Sequence, residues 1–201
     1  MRVDATFDRI TAAALELVLA QGVKKTDLGE VAARAAVTRV TVYRYCGNKK
    51  GLVRAMCLRI AAIFQRAADG GPMDSIHDID LRLNRLGEEL SGFPKGDLLA
   101  RLEEIRRLYP DVHAEFRALR QAAVDGIFQQ ALATATRERS LRKGLNLEVL
   151  KAIFWAAVVG LIENPALVSS NISLAEIFTT VTEVFRHGIL KTAPEGEGHD
   201  R

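Results

Sequence analysis

Cysteine is scarce: of 201 residues only Cys46 and Cys57 carry thiols. They form no disulfide framework, and no second Cys/His pair stands at metal-ligand spacing. Reduced thiols in a cytosolic protein are the expectation. Long apolar runs are also lacking. The longest, Ala152 to Ile162, has eleven residues, against the roughly 20 that a membrane span needs, so it reads as a buried helix and no membrane partner is expected. The first residues, M-R-V-D-A-T-F-D, do not have the basic-then-apolar order of a signal peptide, and a cytoplasmic location is expected. No alternating β pattern, internal repeat or low-complexity insert is found. The glycine-rich phosphate loop, the G-x-S-x-G elbow and the H-E-x-x-H zinc helix are missing. No catalytic residue, metal site or cofactor is therefore assigned, and an enzyme is not the expected class.

What is present is apolar residues, 48% of the chain, enough for a sizeable core, and they recur at helical spacing throughout. The expectation is an all-α fold of about nine helices. Helix 1 spans Asp4–Gln21, with Phe7, Ile10, Ala14, Leu17 and Val18 on one stripe and Gly22 as a left-handed terminal cap. Helices 2 and 3 span Leu28–Ala35 and Arg39–Tyr45, and helix 4 runs from Lys49 to about Asp69 before Gly70-Gly71-Pro72 breaks the chain. Helix 5 starts at Asp74 or Ser75, and helix 6 spans Asp97–Leu108. Helix 7 spans Asp111–Ser140 behind Pro110, with Phe116, Leu119, Ala123 and Ile127 inward. Asn146 caps helix 8, which Asn164-Pro165 ends. Ser173 and Glu176 form a capping box for helix 9, whose stripe includes Val184. Residues 192–201 read as a polar, disordered tail.

Charge is uneven along this layout. Residues 1–60 hold 11 Lys/Arg against 5 Asp/Glu, a balance of +6, whereas residues 61–201 hold 17 against 20, a balance of −3. A basic N-terminal third on a mildly acidic body is the layout of a nucleic-acid reader carried by a second domain. Within that third, Thr26 to Gly51 reads as two short helices joined by a tight turn. Asp27 and Glu30 have capping-box spacing, and Thr38 can cap the second helix. The outer face of that second helix shows Arg39, Thr41, Tyr43 and Arg44. A guanidinium, hydroxyls and a flat ring suit phosphates and base edges.

The string T-V-Y-R-Y-x-x-N-K, preceded by a short capped helix and an A-x-V-T turn, resembles the DNA-binding signature of the TetR family of transcriptional regulators. The resemblance is detailed over about residues 5–60; beyond them, length and helical layout agree. On the residues themselves, Arg39 is the best base reader, since arginine can bind guanine through two bonds. Thr38, Thr41 and Tyr43 can donate to phosphate, Arg44 can do either, and Lys25 and Thr26 lie on the loop where a DNA backbone would pass. The resemblance implies that Tyr43 and Lys49 clamp phosphates. Three positions depart from the family's usual pattern: Cys46 replaces an aromatic, Ala36 a glycine, and Asp27 a threonine.

The resemblance implies a domain division as well. Residues 1–48 would form the helix-turn-helix head, and residues 49–191 a ligand-binding and dimerisation body with helix 4 as connector. Helices 8 and 9 would pair with a second copy through Phe154, Val158, Leu161, Phe178, Val181 and Phe185. Helix 8 is apolar nearly all round and must be covered on every side. A pocket among helices 4 to 8 would be lined by Leu86, Leu102, Ile105, Tyr109, Phe116, Phe128 and Trp155 and take a hydrophobic or amphipathic small molecule. The expected function is a ligand-responsive repressor that binds a double-stranded DNA operator, pseudo-palindromic, as a homodimer. The alternative is a helical dimer that binds small molecules or partners and has weakened or lost DNA binding.

Overall fold

The computed structural model describes residues 4–92, 98–162, 164 and 172–190. Over these the chain forms α1 (Ala5–Gln21), α2 (Leu28–Arg34), α3 (Arg39–Cys46), α4 (Lys49–Ala68), α5 (Ile76–Ser91), α6 (Leu98–Leu108), α7 (Pro110–Arg137), α8 (Leu147–Ile162) and α9 (Leu174–Ile189). The expected tail, the Gly92–Gly96 interruption after Gly92 and Pro165 lie outside the described residues.

Helix starts follow from the capping side chains, which accept the amide hydrogens that a first turn leaves unused. Asp4 accepts from the Thr6 amide at 2.9 Å and Asp27 from Gly29 at 2.6 Å, with Glu30 reaching back to the Asp27 amide. Thr38 accepts from Thr41 at 3.1 Å, and Asn48 from Gly51 at 2.9 Å. Ser75 rather than Asp74 starts α5, and Ser173 starts α9 in a capping box with Glu176. Pro110 opens α7, where its missing amide hydrogen is no loss.

Three expectations are corrected. Gly22 is not a left-handed helical cap: its φ of 89° comes with a ψ of 162°, which turns the chain outward. Leu119 does not face inward. It is 39% exposed, and Arg120 beside it takes the buried position between Phe116 and Ala123. The covered face of α7 thus includes a charge that an apolar-stripe count assigns to solvent. Val184 is 64% exposed, so the α9 stripe is wider than the face its own subunit covers.

Two apolar clusters form. Ile10, Ala13 and Ala14 of α1 pack with Leu28, Val31, Ala32, Val42 and Leu52, with Tyr45 and Cys46 against them. The other side of α1, through Leu15, Val18 and Leu19, joins the larger cluster of α4 to α7, centred on Met56, Ile60, Ile105, Val112 and Phe116. Distant segments are pinned by polar side chains turned inward. Arg82 donates to the Gly71 carbonyl at 2.6 Å and to Gln130 at 3.3 Å, and the Thr134 hydroxyl donates to the Met73 carbonyl. These bonds tie the Gly70–Met73 break to α5 and α7, and the one to Met73 gives the backbone of that buried residue a partner.

Candidate nucleic-acid interface and effector cavity

The head is a helix-turn-helix. At the turn, Ala36 adopts φ 52°, a left-handed conformation that an alanine resists by roughly 1–2 kcal/mol. It is held there by the Val37 amide donating to the Ala32 carbonyl at 2.9 Å. At the far end of α3 the chain turns at Gly47, and Gly51 lets α4 begin hard against it: a Cβ on Gly51 would lie 1.9 Å from the Cys46 carbonyl oxygen. Val42 anchors the inner face of α3 and is fully buried. Tyr45 turns back to α1, where its hydroxyl donates to the Asp4 carboxylate and its ring lies 5.9 Å from Phe7. Tyr45 is thus structural, and Cys46 packs half-buried against the same cluster.

Outward, α3 presents Arg39, Val40, Tyr43 and Arg44. Tyr43 is 42% exposed, and the Arg39 guanidinium lies 5.7 Å from its ring centroid, which holds both on one face. Val40, which a choice by polar residue type leaves out, stands 77% exposed on the same face. A bare valine on a polar face has no folding reason, and an apolar tip can contact a thymine methyl. Thr38 and Thr41 share a hydroxyl–hydroxyl hydrogen bond at 2.9 Å at the start of the helix. Lys24 and Lys25 stand exposed on the preceding loop. Thr26 lies elsewhere than the interface: it is buried, and its hydroxyl donates to the Gly22 carbonyl at 2.8 Å. Lys49 Nζ donates to the Lys24 carbonyl at 2.7 Å, so it also braces that loop. The Asp27 carboxyl is held below its ordinary range by the Gly29 amide and, further off, by the charge of Arg39. It therefore caps α2 and stands close enough to the recognition helix to influence it.

The body grips the same loop. Glu104 of α6 accepts from the Val23 amide at 2.9 Å and from the Lys24 amide at 3.0 Å. A Cβ on Gly22 would crowd that carboxylate at 3.0 Å and Arg101 at 3.1 Å, and the φ of 89° there also favours glycine. Burial acts to raise the Glu104 pKa, but the two amides and Arg101 outweigh it, and the carboxyl lies below its ordinary value. The connector α4 is tied to α7 by Lys50–Asp111 at 2.7 Å and by a two-bond Arg54–Glu115 pair. Cys57 is buried on α4, and burial together with the Glu115 charge pushes its thiol up to about 12, so it stays protonated.

A cavity of about 170 Å³ runs among α4, α5, α7, α8 and α9. Of the expected lining residues, Leu86 and Phe128 are in its wall. Leu102, Ile105 and Phe116 are instead buried in the main core, Tyr109 packs at its edge, and the Trp155 indole donates to Asp125 at 3.2 Å. The wall residues that were missed, among them Phe64, Val124 and Ile177, are ordinary apolar positions that only packing distinguishes. Four expected dimer residues, Phe154, Phe178, Val181 and Phe185, line this cavity. Phe154 stacks on Phe128 at 4.2 Å and meets Phe185 edge-on at 5.2 Å. Leu161 is half-buried, and the Val158 side chain lies outside the described residues. The outer face of α8 is different: Val149 (53% exposed) and Ile153 (55%) share a helical stripe with exposed Ala156 and Gly160, and α9 adds Val184. Among the described residues no three metal-ligating side chains converge, and no helix is long and apolar enough to cross a membrane.

A helix-turn-helix head on an all-helical body defines the class: the fold of a DNA-binding transcriptional regulator. Residues 10–56 match the family model "Bacterial regulatory proteins, tetR family". Over its length the chain is similar to a putative TetR-family transcriptional regulator from Rhodococcus sp. The identity is 18%, with 94% of this chain and 100% of that one covered, at a TM-score of 0.64. A putative TetR-family regulator from Mesorhizobium loti MAFF303099 aligns at 16% identity over 95% and 100% of the two chains, TM-score 0.60. The protein of the SmeT–triclosan complex aligns at 22% identity over 98% and 99%, TM-score 0.59. No curated protein sequence matches the chain. Residues 10–56 thus match the TetR-family model, and the whole chain has the fold of the TetR-family structures it resembles.

Proposed function

We propose that the protein is a ligand-responsive transcriptional repressor that binds a pseudo-palindromic DNA operator as a homodimer in the cytoplasm. The observation that carries this reading is the outer face of α3, where Arg39, Val40, Tyr43 and Arg44 stand exposed together beside Lys24 and Lys25. Arg39 and Val40 read base edges; Tyr43, Arg44, Thr41, Lys25 and Lys49 hold phosphates. One head buries only about 600–1,000 Å² on DNA, and two heads about 34–36 Å apart read two half-sites one helical turn apart. The stripe of Val149, Ile153, Ala156, Gly160 and Val184 supplies the surface for the second copy, in place of the aromatic residues that the cavity uses. Residues 1–48 act as the reading head and residues 49–191 as the effector and dimerisation body.

Coupling follows from two connections. Phe64 of α4 is in the cavity wall, and Lys49 of the same helix braces the loop before α2, about 22 Å away at 1.5 Å per residue. Glu104 of α6 holds that loop from the other side. A ligand that fits one spacing of α4 and α7 better than another shifts the dimer away from the DNA-competent spacing, provided that it binds the two states unequally. That SmeT is in complex with triclosan supports a small hydrophobic effector for an apolar cavity of this fold. The test is selection of bound sites by the full-length protein from random duplexes. Enrichment of a symmetric site is expected; a pool that stays random at moderate salt overturns the reading.

A further inference from the structure

We propose that Val40 makes operator binding depend on the C5-methyl group of a pyrimidine in the major groove, a thymine or a 5-methylcytosine. This rests on reading the outer face of α3 as the DNA interface and names what the centre of that face recognises.

The position comes from helix register. At about 100° per residue, Val40 points about 160° away from Val42, the fully buried anchor of α3. On the same count Tyr43 lies about 60° to one side of Val40 and Arg44 about 40° to the other, with Arg39 and Thr41 about 100° off at the flanks. Val40 is therefore at the centre of the outward face. It is also the second residue of the helix, in the N-terminal turn that a recognition helix offers to base edges. The part of a helix farthest from its own core goes deepest into a groove, and here that part is an isopropyl group. Helix propensity gives no reason for it, since a β-branched side chain is restricted in a helix.

The polar neighbours are drawn aside. The Arg39 guanidinium lies 5.7 Å from the centroid of the Tyr43 ring. That of Arg44 lies 5.4 Å from the Tyr45 ring, which Asp4 and Phe7 hold against α1. The Thr38 and Thr41 hydroxyls bond to each other at 2.9 Å. Val40 is left uncovered between them, 77% exposed. An isopropyl group neither donates nor accepts, so it cannot tell base edges apart by hydrogen bonds. What it can distinguish is apolar surface, and the C5-methyl is the apolar group that a base pair presents in the major groove. Contact between the two removes apolar surface of both from water.

The test uses the full-length protein and a site selected from random duplexes. Each thymine of that site is exchanged for deoxyuridine in turn, in one half-site or in both, and affinity is read by fluorescence anisotropy. Thymine and uracil share one hydrogen-bonding edge, so the exchange removes the methyl alone. At one position per half-site uracil is expected to weaken binding about fourfold, the worth of one methyl kept from water, and about fifteenfold with both half-sites exchanged. With cytosine at that position, methylation at C5 is expected to recover about fourfold. Val40→Ser, which removes both methyls of the side chain, is expected to bind thymine and uracil duplexes alike, with the rest of the selected sequence unchanged. Val40→Ala, with the best helix former at that position, guards against a poorly folded Ser variant and is expected to shrink the uracil penalty. Equal affinity for thymine and uracil at every position in the wild type, or an unchanged uracil penalty in either variant, overturns the proposal and leaves the DNA-binding reading standing. A pool that stays random at moderate salt overturns both.

Discussion

In the head, the hydrogen bonds that set each helix start reach two or three residues along the chain: Asp4 to Thr6, Asp27 to Gly29, Thr38 to Thr41, Asn48 to Gly51. In the body, the bonds that set helix against helix reach across about sixty: Thr134 to Met73, Gln130 to Ala68, Arg137 to Asp74. The head is closed by small residues packed on α1, whereas the body encloses a cavity. On the function proposed, the difference separates two tasks. A reading surface needs one rigid shape, which local caps and tight turns secure. An effector site needs room and alternative packings, which come from long helices joined by a few distant bonds.

The largest expected effect breaks the comparison at its shared core. Phe116→Ala removes a buried ring from the cluster that α1 shares with α4 to α7, and should destabilise the protein by about 3–5 kcal/mol in urea unfolding. A single transition shifted for both parts would mean that head and body unfold together; two transitions would separate them. Next is the pairing surface. Val149→Glu with Ile153→Glu puts like charges across a twofold contact, and should weaken self-association by about thirtyfold or more in sedimentation. An unchanged dimer would move the interface elsewhere.

Smaller effects sharpen the comparison within the head. Thr38→Ala removes the cap of α3 and should destabilise by about 1 kcal/mol on thermal melting, and weaken DNA binding with it. Lys25→Ala should lower the slope of log affinity against log salt by about 0.9, one phosphate contact, with no change in the selected sequence. The smallest test is pH. Because the Glu104 pKa is depressed in the folded protein, its hold on the loop is fully present above the ordinary carboxylate range and is lost only as pH falls through the depressed folded value. The protection of the Val23 and Lys24 amides, their exchange relative to the intrinsic rate at each pH, should therefore hold from neutral pH to the ordinary carboxylate range and fall below it, whereas Glu104→Ala should lower the protection of both even at neutral pH.

How legible each part was follows from the same contrast. Asp27 with Glu30, Ser173 with Glu176, and Pro110 are local signals, and the helices begin where those signals stand. Ala36 stands where the family's pattern has a glycine, and it adopts the left-handed φ of 52° that a glycine would favour. Side-chain chemistry does not say which way a residue points: the Thr26 hydroxyl, expected on the outside, went inside, and Val40, to which no role was assigned, stands outside. Phe154, Phe178 and Phe185 were assigned to a partner because helices 8 and 9 carry more apolar surface than one face needs; in the structure the three rings line the cavity, while Val149, Ile153 and Val184 stand exposed.

The sequence by itself determined the helices, the turn between α2 and α3, and the polar outer face of α3, because caps, periodicity and charge act over a few residues and leave their pattern in the string. Only the tertiary structure decided that Arg120 rather than Leu119 goes inside, that Glu104 holds a loop some eighty residues upstream, and that the cavity lies against α9. Those outcomes depend on which faces meet when the helices pack, and a face that is apolar nearly all round carries no local mark of its neighbour.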